Sequence, residues 1–136
     1  MITLEETEKL IYEIAKKINA PVDKYLTIGD CRDDATPCIR IDRGWFYYFA
    51  RDRDVITVKK KTHDINKLLY WVFDGITSEM RLQYQIDNRI KGKDTRRQLF
   101  PYQLNLLKQL DENWYIKKKR YFKKILRVAP FEDEDE

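Results

Sequence analysis

Histidine occurs once in this 136-residue chain, as His63, cysteine twice, and glycine and proline four times each. Each scarcity excludes something. Zinc takes about four closely spaced ligands, more than His63, Cys31 and Cys38 supply, so neither a metal nor a cofactor is expected. Gly29, Gly44, Gly75 and Gly92 are too scattered to form a phosphate-cradling loop. No run approaches the ~18 apolar residues of a membrane span. The polar, acidic start from Met1 to Lys9 lacks the basic region and apolar stretch of a secretory leader. Ser78 and His63 fall on one long predicted helix, about four turns apart at ~1.5 Å per residue, so a Ser-His-Asp arrangement cannot close. A Cys-His pair is geometrically open, but nothing local lowers a thiol pKa. Cys31 and Cys38 read as free thiols of a reducing cytosol, with pairing left open. His63, between Thr62 and Asp64, reads as a helix-start residue.

What remains is the material of a core. A chain near this length buries roughly 68–70% of the surface it exposes when unfolded. Its 43% hydrophobic and 13% aromatic content is far from that of disordered chains. Its charged fraction of 37% exceeds the usual ~25% and implies a heavily solvated surface. One domain over residues 1–131 is expected, followed by an acidic, disordered tail at 132–136. The net charge of +4 is unevenly laid out. Residues 91–124 hold eleven lysines and arginines against Asp94, Asp111 and Glu112, and the tail is five acids in a row.

Thr3 with Glu6 has the form of a capping box. Leu4, Thr7, Leu10, Ile11, Ile14 and Ile18 follow at helical spacing until Asn19-Ala20-Pro21 ends the helix. Short strands are expected at Tyr25–Ile28, Cys38–Asp42, Trp45–Phe49 and Val55–Val58, joined by turns in an antiparallel meander. Alternation puts Trp45, Tyr47 and Phe49 on one side of the sheet and Phe46 and Tyr48 on the other. From Thr62 the period changes, and Ile65, Leu68, Leu69, Val72, Phe73, Ile76, Met80 and Tyr84 make one long amphipathic face. Gly75 inside it invites a kink. Pro101 belongs in a first helical turn, which moves the start of the next helix towards Leu99. Asp111 caps a last helix whose inner stripe is Trp114, Tyr121, Phe122, Ile125 and Val128. The predicted fold is α+β: an N-terminal helix, a four-stranded antiparallel sheet, then three C-terminal helices packed on the sheet.

Two surfaces stand out. Asp30, Asp33, Asp34, Asp52 and Asp54 cluster in predicted turns, where paired acids are solvated or cap backbone N–H groups and where they offer contacts to a basic partner. Lys117, Lys118, Lys119, Arg120, Lys123 and Lys124 interleave with aromatics on the last helix, a pattern that can bind nucleic acid. With Trp114, Tyr121 and Phe122 on the inner stripe, the lysines become a solvated outer face, and nucleic acid ranks below a protein as partner. The aromatic strand is a third candidate, able to stack bases or to anchor a protein. Arg96 and Arg97, near Asp94, are expected to tie the long helix to its successor through ion pairs.

An ordered set of residues carries a family resemblance. It comprises Thr62-His63-Asp64, Leu68-Leu69-Tyr70-Trp71-Val72-Phe73, Thr77, Met80, Tyr84, Arg89, Asp94-Thr95-Arg96-Arg97, Phe100, Gln103, Leu106-Leu107, Leu110, Trp114, Ile125-Leu126 and Pro130-Phe131. The opening from Ile2 to Pro21 follows in the same order, and the strand region matches least specifically. With these residues the chain resembles the Immunity protein 63 family of bacterial polymorphic toxin systems. The resemblance implies a non-enzymatic cytoplasmic protein that binds a cognate toxin domain and prevents self-intoxication. No family catalytic residue is carried onto this chain.

Overall fold

Thr3 and Glu6 form the expected capping box, each side chain bonded to the other's backbone N–H. The box starts α1 (Leu4–Lys16), whose Thr7, Ile11 and Ala15 are buried at helical spacing. Three residues after the helix, Asn19 turns the chain at a φ of 51°, and a single-turn helix, α2 (Val22–Tyr25), precedes the sheet. The computed structural model describes residues 1–134 and has two compact units, one from Met1 to Ile76 and one that begins at Thr77.

The first unit holds the sheet: β1 (Thr27–Ile28), β2 (Cys38–Asp42), β3 (Trp45–Asp52) and β4 (Val55–Thr62), in that spatial order. The β2–β3 turn is the two residues Arg43 and Gly44, at φ of 50° and 80°, and positive values at both centres are what a tight hairpin on twisted strands needs. β2–β3 and β3–β4 are antiparallel as expected, but β1 pairs with β2 in parallel, Thr27 opposite Cys38 and Ile28 opposite Ile39. The expectation of a wholly antiparallel sheet is corrected at that strand. β1 is only two residues long, so the intervening loop can fold back beside it without the crossover element that longer parallel strands require. Cys31 and Cys38 are joined in a disulfide with a Cα–Cα separation of 5.3 Å that closes this loop. Sequence had favoured free thiols. The backfolded loop, which spacing alone does not reveal, is what brings the two sulfurs together.

Phe46, Tyr48 and Ala50 point into the core beside Ile39. Against them packs the first part of α3 (Ile65–Asp87), which buries Leu68, Leu69, Tyr70, Val72, Phe73 and Ile76. Gly75 is where Tyr48 comes closest: a Cβ there would stand 2.6 Å from the Tyr48 hydroxyl.

The second unit contains the rest of α3, then α4 (Arg96–Leu110) and α5 (Glu112–Val128). α4 begins at Arg96, ahead of the expected Leu99, and Pro101 lies inside it. Proline one turn in removes a single ladder hydrogen bond, and Pro101 is exposed. Asp111 caps α5 as expected, accepting from the N–H groups of Asn113 and Trp114. The inner stripe of α5 is Trp114, Lys118 and Phe122, with Tyr121 and Val128 exposed instead. Phe122 stacks on Phe100 of α4 at 3.8 Å between ring centroids. Arg81 of α3 lies over both rings and donates to Gln103, which donates in turn to Thr77.

Candidate functional site

Strand pairing fixes which side chains share the outer face of the sheet, because partners across an antiparallel pair point the same way. Trp45, Tyr47 and Phe49 alternate with the buried Phe46, Tyr48 and Ala50 along β3, and each is partly exposed. Opposite Tyr47 stand Arg40 on β2 and Lys61 on β4; opposite Phe49 stands Lys59. Arg40, Lys59 and Lys61 are exposed. The result is a central aromatic column on β3 flanked on both sides by cations. Arg40 is held in place by donating Nε to the Gly29 carbonyl at 2.9 Å, and the Lys61 ammonium lies 4.6 Å from the centre of the Trp45 ring. His63 packs on the same indole at 3.4 Å between centroids, with Nδ1 3.0 Å from the Gly44 carbonyl. His63 is therefore engaged structurally, just ahead of α3.

Four of the five predicted aspartates, Asp33, Asp34, Asp52 and Asp54, lie where the loop after β1 meets the β3–β4 hairpin. The loop after β1 lies along the β3–β4 hairpin through a bridge between Asp34 and Asp52 and through Ala35 N–H to the Arg51 carbonyl at 2.8 Å. Arg53 N–H donates to the Asp33 carbonyl at 2.8 Å. Asp33, Asp34 and Asp52 come together, Asp54 follows in the hairpin turn, and Asp30 sits at the start of the loop beside Cys31. The corner is not purely acidic: Arg51 pairs with Asp33 at 2.6 Å, and Arg32 and Arg53 stand among the acids. The Asp34 carboxylate accepts from Thr36 N–H, and this bonding to Thr36 holds its pKa below the usual carboxylate value.

On α5 the predicted basic set separates. Lys117, Lys119, Arg120, Lys123 and Lys124 are exposed, whereas Lys118 is buried, its ammonium 4.5 Å from the Tyr121 ring centre and 5.2 Å from that of Phe122. A lysine stem can line a core while its head finds an aromatic face.

Asp94 is the hub of a second polar cluster. It takes a two-pronged contact from the Arg96 guanidinium, at 2.7 and 3.0 Å, and accepts from the N–H groups of Arg96 and Glu132. Its own N–H donates to Asp133, which also accepts from Arg97. Arg96 further donates to the carbonyls of Ala129 and Pro130, and Arg97 lies over the Phe131 ring. The Arg96 guanidinium, followed by the backbone donors, holds the Asp94 carboxyl far below its usual range. The arginines thus clasp the chain that follows α5, where a tie between successive helices was expected. Glu132–Glu134, at the start of the acidic tail, are hydrogen-bonded to this hub and to Gly92. Asp135 and Glu136 lie outside the described residues.

The aromatic column is visible in the alternation of β3, but its Lys59 and Lys61 flank is not, because the apolar run of β4 stops at Val58. Lys59, Lys60 and Lys61 continue the strand pairing up to Thr62. Among the described residues no group of three or more His, Cys, Asp or Glu side chains is placed to hold a metal ion, and no helix is long and apolar enough to cross a membrane. No curated protein and no solved structure matches the chain. A family model does: that of Immunity protein 63 matches residues 42–124, from the end of β2 through most of α5. With more than half of its length inside that match, the chain belongs to the Immunity protein 63 family.

Proposed function

We propose that this chain is a non-enzymatic immunity protein that binds a cognate bacterial toxin domain in the cytoplasm and neutralises it by occlusion. Membership of the Immunity protein 63 family carries the reading. Its side chains are consistent with a binding role. The residues best suited to nucleophilic chemistry are engaged, His63 on Trp45 and Gly44, and Cys31 with Cys38 in a disulfide. Asp30, Asp33, Asp34, Asp52 and Asp54 enter the proposal as a charged rim that steers association and rejects wrong partners. The disulfide is the observation that stands against a cytoplasmic site of action, since such bonds persist mainly in oxidising compartments.

The test is co-expression with the toxin domain encoded by the reading frame directly upstream. Growth should be restored, and the two products should co-purify. Reversing the charge of Asp30, Asp52 and Asp54, with Asp33 and Asp34 kept for their bonds to Arg51 and Thr36, should slow neutralisation at least tenfold at an unchanged melting temperature; undiminished protection would remove the corner from the interface. Failure of the unaltered protein to protect would end the immunity reading. One observation favours a second reading, an accessory module for nucleic acid: Lys117, Lys119, Arg120, Lys123, Lys124 and Arg127 are all exposed on α5, and Tyr121 of the same helix is 52% exposed. Affinity for generic DNA or RNA that falls steeply with salt would support it.

A further inference from the structure

We infer that the outer face of the sheet is the docking surface of this protein and that its occupant is an acidic patch on the partner toxin domain, an assignment that rests on the immunity reading above. Tyr47 and Phe49 stand at the centre, partly exposed, with Arg40 on one flank and Lys59 and Lys61 on the other. Aromatic and arginine side chains grouped at the middle of a surface are the residues that carry most binding energy in protein interfaces, with polar groups around them excluding water.

Charge specifies the occupant. Among the residues that β2, β3 and β4 place on this face, Asp42 is the only acid. Arg51 has its counter-ion within the chain, in Asp33. Arg40, Lys59 and Lys61 have no carboxylate opposite them in the strand pairing, where they meet Tyr47, Phe49 and Tyr47 respectively. A partner that brings carboxylates to these three positions gains both attraction and register. Next to Arg51 on the same face, Ile56 is 53% exposed and extends the apolar centre towards the aspartate corner. That corner then meets cations at the rim of the same contact.

The geometry favours a protein over a nucleic acid. Base stacking needs an open aromatic face, and the largest ring of the column, Trp45, has His63 and Lys61 packed on it.

The experiment uses the full chain and the purified toxin domain from the upstream reading frame, inactivated by mutation, in calorimetric titration. Arg40→Glu/Lys59→Glu/Lys61→Glu changes exposed side chains only and should retain the far-UV spectrum and melting temperature. It should weaken binding at least 100-fold, with the loss largest at low salt. Tyr47→Ala should weaken binding at least tenfold, mainly through faster dissociation. Binding by the unaltered protein together with threefold or smaller effects of both variants would overturn the surface and leave the immunity reading standing. No binding by the unaltered protein would overturn both. Binding of a 20-nucleotide single strand that the triple charge variant abolishes, or a dimer of this chain that it dissociates, would also overturn the assignment by naming a different occupant.

Discussion

Gly75 is held to its identity by a neighbour. Glycine inside a helix costs roughly 1 kcal/mol relative to alanine, so on propensity alone Gly75→Ala should stabilise α3. The Tyr48 hydroxyl, only 2.6 Å from where the methyl would go, reverses that sign. Tyr48 is buried and cannot swing into solvent. Gly75→Ala is expected to destabilise by about 1–3 kcal/mol in urea unfolding, the usual range for overpacking. In a Tyr48→Phe background the added loss should shrink, because the hydroxyl is the atom met. Stabilisation by Gly75→Ala in the unaltered background would refute the account. The sequence marks Gly75 only as an anomaly in a helical pattern, since nothing local says that a strand residue 27 positions earlier fills the space. Lys118 was illegible for a related reason. It sits among four consecutive basic residues, and its burial is decided by Phe122 and Tyr121 around it.

At the scale of elements, local patterns were readable and pairings between distant segments were not. The capping box of α1, the aspartate cap of α5 and the two-sided alternation of β3 all follow from neighbouring residues. The parallel placement of β1, the disulfide and the clasp around Asp94 depend on where loops return, which periodicity does not encode. The clasp makes a pH prediction. The carboxyls of Asp94 and Asp133 are both held below their ordinary values, chiefly by Arg96 for the first and by the Asp94 N–H and Arg97 for the second. A carboxylate whose pKa falls on folding contributes stability that is fully present above its unfolded value of ~3.9. That contribution is lost as pH falls through the folded value. Thermal stability should therefore decline steadily below pH ~4, and Asp94→Asn should flatten that decline. At neutral pH the same substitution should cost about 1–3 kcal/mol, the range for hydrogen bonds to a charged group. Asp94 is only 10% exposed, so solvent screening discounts little of this. Arg97→Gln, removing a side chain 47% exposed, should cost under about 1 kcal/mol. An acid profile unchanged by Asp94→Asn would show that the clasp does not contribute to stability.

Over the whole molecule, charge is sorted by place. The basic excess of residues 91–124 lies mostly on α5 and the α4 start, with Arg96 and Arg97 tied to Asp94 and the first acids of the tail. The first unit sets a cationic, aromatic sheet face beside an aspartate corner. α+β class and family were legible because helix cores and aromatic positions persist along the chain in order. The face proposed for docking was half legible, as a strand without its flanks. A surface of this kind acts by stoichiometric contact, which differs in kind from turnover. The most direct measurement is a titration of active toxin domain, at a concentration well above the dissociation constant, with increasing amounts of this protein. The account predicts that toxin activity falls linearly and reaches zero at one equivalent; inactivation by a small fraction of an equivalent, progressing with time, would show a catalyst and contradict it.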